Sequence, residues 1–182
     1  HLVGSSLGAS MIVRFSDQGL DRIDKVVLAA PGGFGRRTHL LMRPPALPLI
    51  GDALGRPTPF NNLLTLQLAM HDPRNVIPEL VALTNHYASL PGSERSFVRT
   101  LQTGVGLLGV RERDSFEALA RRLDRPALVL WGRQDRVFPP RQSERALALM
   151  PQARRVLIDR CGHYPHWEQP ETFVSEVEAF LA

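Results

Sequence analysis

Short continuous apolar runs alternate with amphipathic stretches at both ends of the chain, and the middle follows another rhythm. Leu2–Val3 before Gly4 reads as the end of a buried strand, and Leu7, Met11, Ile12 and Phe15 then recur at helical spacing. Lys25 to Ala30 (KVVLAA) is uninterrupted and closed by Pro31–Gly32–Gly33, the signature of a strand covered on both faces. Ala127 to Trp131 (ALVLW) repeats that pattern between Pro126 and Gly132, and Arg155 to Ile158 (RVLI) is the last strand expected. Helices are predicted over Gln142–Met150, before Pro151, and over Glu171–Leu181, where Pro170 suits a first helical turn.

Residues 33–122 separate the second strand from the third. Leu63–Met70, Val76–Tyr87 and Arg95–Leu108 read as helices, and Pro44, Pro45, Pro48, Pro57 and Pro59 break the stretch before them into turns. The insertion is too long for a crossover helix, and long insertions in compact domains are often lids. The expected organisation is a core of residues 1–32 and 123–182 with a helical cap over residues 33–122. Pro45–Ala46–Leu47–Pro48–Leu49–Ile50 and Gly104–Val110 are candidate apolar walls, or packing within the cap.

Composition narrows the classes. The 182 residues are 43% hydrophobic and 22% charged, which suits a globular chain and excludes wholesale disorder. No apolar stretch reaches the ~18 to 20 residues of a membrane span. Cys161, the single cysteine, makes no internal disulfide, which argues against a stapled secreted scaffold and reads as a packing residue. Of 22 basic residues only Lys25 is lysine, and the arginines are scattered on a net charge of +4, so no phosphate-tracking surface is expected. His1 followed by Leu2–Val3 reads as a start within a longer chain, in which a signal peptide is not legible.

Three segments carry chemistry. Gly4–Ser5–Ser6–Leu7–Gly8 is a G-x-S-x-G between a strand and a helix. A serine on so tight a turn projects its hydroxyl above the sheet, with glycine expected at positions 4 and 8 to avoid collision, while the Leu7 N–H points where an oxyanion forms. Asp135 follows the ALVLW strand on the side of an α/β sheet where ligands bind. His163 follows the RVLI strand in Cys161–Gly162–His163–Tyr164–Pro165–His166; it is preferred over His166 because Gly162 lets the loop turn tightly. Each has a plain structural reading: Ser6 as a helix cap, Asp135 as a turn residue, His163 as a surface or core histidine. Together they give the order Ser6, Asp135, His163, each just past a strand. Too few ligands surround His163, His166 and Cys161 for a metal.

This arrangement resembles the carboxyl-terminal two-thirds of an α/β-hydrolase-fold enzyme, with HLVGSSLG as nucleophile elbow, DRIDKVVLAAPGG as the next strand, RPALVLWGRQDRVFPP as acid strand and loop, and RCGHYPHWEQPETF as histidine loop and last helix. The resemblance implies a cofactor-free α/β protein: the last four strands of a mostly parallel sheet, a helical cap, and a serine hydrolase triad of Ser6, Asp135 and His163. It places four strands and the second oxyanion donor upstream, so residues 1–182 alone are expected to fold poorly and lack activity. The expected reaction is hydrolysis of a carboxylic ester or related small acyl substrate through an acyl-enzyme. AAPGGFG and CGHYPHWE resemble a subfamily that cleaves a carbon–carbon bond in ring-fission products, although Ser5 stands where Asn is usual and Tyr164 where Trp is usual. A non-catalytic binding member of the fold is the remaining alternative. The expected partner is a small molecule rather than nucleic acid, and the expected location is the cytoplasm; oligomeric state is not legible.

Overall fold

The computed structural model describes residues 1–44, 47, 56–106, 108–111 and 117–182. In chain order its elements are β1 (Leu2–Ser5), α1 (Leu7–Gly19), β2 (Val26–Ala29), α2 (Pro59–Ala69), α3 (Pro78–Ala88), α4 (Ser93–Gly104), β3 (Val105–Gly106) and β4 (Gly109–Val110). There follow α5 (Glu117–Ala120), β5 (Ala127–Gly132), α6 (Gln142–Leu149), β6 (Ala153–Ile158), α7 (Pro165–Glu168) and α8 (Pro170–Leu181).

Four strands pair in parallel in the order β1-β2-β5-β6. The two inner strands, β2 and β5, are buried along their whole length, which is why their sequences run apolar without alternation. Their side chains still sort by a period of two. Val26, Leu28, Ala127, Val129 and Trp131 meet Ala9, Ile12 and Val13 of α1 and Ala146 and Leu149 of α6 on one face. Val27, Ala29, Leu128 and Leu130 meet Phe173, Val177 and Phe180 of α8 on the other. Burying each large apolar side chain contributes about 1.5 to 3 kcal/mol, so these three layers hold the core. Lys25 closes one end: its Nζ donates to the carbonyls of Phe180 and Leu181 at 3.1 and 2.9 Å, placing a cation at the carboxyl terminus of α8.

The segment between β2 and β5 is built differently. Thr58 caps α2 by accepting the Asn61 N–H at 3.2 Å, with Pro59 at the first helical position. Asn62 on α2 donates to Asn85 on α3 at 2.8 Å, while α3 itself buries no residue. Leu101 and Val105 form a small cluster with Met42. The helix expected over Arg95–Leu108 stops at Gly104, and the chain turns into the antiparallel pair β3–β4. Gly109 has φ of +104°, and the Val110 N–H donates to Arg36 O at 2.8 Å, so the hairpin docks on the loop after β2. Of the apolar wall expected at residues 45–50, only Leu47 lies within the described residues. No helix among the described residues is long and apolar enough to cross a membrane.

Candidate active site

The turn from β1 into α1 holds Ser6 at φ of +50°, a left-handed conformation that is strained for a residue with a Cβ. The Ser6 N–H still donates to Ala29 O at 2.8 Å, as a continuing strand would, and its carbonyl accepts the Ser10 N–H of the new helix. Gly4 is required sterically: a Cβ there would lie 2.7 Å from the Gly8 carbonyl carbon and 2.8 Å from Ala9 N. Gly8 is not, because a Cβ at that position meets nothing within 4 Å among the described residues. The expected collision therefore arises on the strand side of Ser6 only. Leu7 opens α1, so its N–H is among those a helix leaves without an internal partner.

Asp135 stands in the loop after β5 and is buried. Its Oδ1 accepts the N–H groups of Val137 and Phe138 at 2.8 and 3.0 Å, which leaves Oδ2 aimed at His163 Nδ1, 2.8 Å away. His163, on the loop after β6, is 3% exposed and presents Nε2 to Ser6 Oγ at 2.8 Å. Its ring neighbours those of Phe138 and Tyr164, with centroids 5.5 and 5.3 Å away. Two sheet loops and one elbow thus bring Ser6, His163 and Asp135 into a continuous relay. With Asp135 accepting from Nδ1–H, Nε2 is left bare to accept a proton from Ser6.

His166 takes no part in this relay, facing Tyr164 and Phe173 instead. Gly162 is needed for close approach rather than for turning: a Cβ there would overlap Ala69 O and lie 2.7 Å from His71 N. Burial pushes the Cys161 thiol well up, and Cys161 packs in the apolar layer beneath α8, as a structural cysteine would. Glu168, a buried acid bonded to this loop, had no signal in the sequence, because its partners are backbone N–H groups.

A model of the alpha/beta hydrolase family matches residues 1–176. The chain is 27% identical over 183 residues to a 2-hydroxy-6-oxononadienedioate/2-hydroxy-6-oxononatrienedioate hydrolase of Pseudomonas sp, covering all of this chain and 62% of that protein. It is 30% identical over 183 residues to the hydrolase of the same name from Burkholderia vietnamiensis, again covering all of this chain and 62% of the relative. The structure superposes on the 2-hydroxy-6-oxo-6-phenylhexa-2,4-dienoate hydrolase of Rhodococcus sp. with a TM-score of 0.74 at 25% identity, over 100% of this chain and 63% of the other. The chain thus spans about 62% of the length of these curated relatives.

Proposed function

The chain belongs to the α/β hydrolase family, and on that premise we propose that Ser6, His163 and Asp135 form the catalytic triad of a serine hydrolase. The observation that supports it most directly is the relay itself, 2.8 Å at each link. In this reading Ser6 Oγ attacks a substrate carbonyl as His163 Nε2 takes its proton. Asp135 keeps Nδ1 protonated and stabilises the imidazolium that forms, and the Leu7 N–H donates to the developing oxyanion. His163 returns the proton to the leaving group, and water activated by the same ring then frees the acyl group from Ser6. Residues 33–122 act as the cap over this site.

The substrate we propose is a ring-fission dienoate carrying a ketone at its sixth carbon, cleaved at the carbon–carbon bond beside that ketone. The names of the relatives favour it over a simple ester. A carboxylic ester is the second reading, supported by Ser5 and Tyr164, which depart from the ring-fission pattern. The test is a comparison of kcat/KM in the full-length protein for such a dienoate and for p-nitrophenyl esters. The dienoate is expected to be preferred by at least about 100-fold, about 2.7 kcal/mol in transition-state binding; equal or better ester turnover overturns that preference. Ser6→Ala is expected to abolish both reactions and labelling by a fluorophosphonate probe, and retained turnover would exclude the triad. Residues 1–182 expressed alone are expected to show no turnover.

A further inference from the structure

Glu168 ends α7, is 8% exposed, and has no part in the chemistry proposed above. Its carboxylate is fully engaged by backbone. Oε1 accepts the Gly162 N–H at 2.7 Å and, at longer range, the Tyr164 N–H at 3.4 Å. Oε2 accepts the His71 N–H at 2.6 Å. The amide between the first two, that of His163, donates to Ala69 O at 2.7 Å. Three consecutive N–H groups around the histidine are thereby fixed, two by one carboxylate and the third by the last residue of α2. The same carboxylate reaches across to residue 71, beyond the end of that helix.

Two backbones that come this close need a linker able to accept at both of its ends. A carboxylate does so, whereas a glutamine amide turns an N–H group toward one set of N–H donors. Burial of a charge is costly, and a carboxylate held by three N–H donors recovers part of that cost. A helix-packing role alone would be met by an apolar residue at less expense.

We propose that Glu168 is a positioning residue that clamps the backbone of His163 to the end of α2, so that the placement of α2 against the sheet sets the placement of the His163 ring. The proposal rests on His163 acting as the general base. It predicts that weakening the clamp slows the chemical steps while leaving substrate affinity nearly unchanged.

The experiment uses the full-length protein, with p-nitrophenyl acetate for kcat and KM, a fluorophosphonate for the labelling rate of Ser6, and a thermal melt to verify folding at the assay temperature. For Glu168→Gln, kcat and the labelling rate are expected to fall together by about 10- to 100-fold, the scale of a misplaced catalytic group, with KM within about twofold. Glu168→Asp, which keeps the charge and shortens the reach, is expected to fall between, and it carries the test if the glutamine variant does not fold. Gly162→Ala pushes the same two backbones apart, so the double variant with Glu168→Gln is expected to be no slower than the worse single. A folded Glu168→Gln or Glu168→Asp enzyme with wild-type kcat overturns the clamp, as does a double variant whose losses multiply. Absence of wild-type labelling would instead remove the triad, and labelling abolished by His163→Ala but untouched by Glu168→Gln would remove only the clamp.

Discussion

The sheet with its loops and the segment between β2 and β5 are held by different means. β2 and β5 are buried at every position, and the layer around them draws on α1, α6 and α8. In the intervening segment α3 buries nothing, and Phe60, Leu83, Tyr87 and Phe97 stand open on its helices. Its two ends join the sheet's apolar layer through Phe34, Ala120 and Leu123, while its middle meets the sheet loops through hydrogen bonds, the His39 N–H to Val137 O, the His163 N–H to Ala69 O and the His71 N–H to Glu168. Elements sharing one apolar layer open only with the core, whereas a helix such as α3, with no buried residue, has less to hold it in place.

The contrast can be broken most forcefully at the relay. Asp135→Asn is expected to lower kcat by about 10⁴-fold with the fold intact, because the amide favours the wrong histidine tautomer. Steady-state kinetics and a melt measure both, and an activity loss that tracked unfolding would contradict the assignment. Next in size is Trp131→Ala in β5, which removes a side chain with no exposure whose Nε1–H donates to Phe138 O at 3.1 Å. It is expected to cost about 3 to 5 kcal/mol in denaturant unfolding.

A third effect concerns pH. Burial raises the Glu168 carboxyl above its ordinary 4.5, outweighing the N–H groups of His71, Gly162 and Tyr164 that act the other way. A raised folded-state value means the folded protein holds that proton more tightly than the unfolded chain. Its stabilising contribution is therefore full below about pH 4.5 and is lost as pH rises through the folded-state value. Thermal melts should show wild type losing stability relative to Glu168→Gln as pH rises through that window; a gap that widened in favour of wild type would reverse the sign. Smaller again is Lys25→Met, expected to cost about 1 kcal/mol through the lost bonds to the end of α8. Smallest is Phe60→Ala on α2, 74% exposed, expected to stay within about 0.5 kcal/mol. A large loss at Phe60 would mean that the intervening segment is packed more like the sheet than described.

The same contrast explains what the sequence disclosed. Strands buried on both faces leave no room for polar residues, so KVVLAA and ALVLW announce β2 and β5 directly. That Ser6, Asp135 and His163 meet was legible because each follows a strand of one parallel sheet. The helix expected over Arg95–Leu108 overruns β3 because Val105, Leu107 and Leu108 are apolar at either period, while Gly109, at φ of +104°, turns the chain into β4. The four-residue helix α7 is too short to show a period. Glu168 was invisible for a deeper reason: a backbone N–H donor has no residue identity, so no pattern of letters marks a side chain whose partners are all main chain.

The relay joins residues 157 positions apart along the chain. During synthesis, at roughly 5 to 20 residues per second, Ser6 is incorporated about 8 to 30 seconds before His163. Throughout that interval no imidazole stands beside the serine hydroxyl. The contact is completed only when the last sheet loop arrives, so a chain ending before that loop holds Ser6 with no ring beside it.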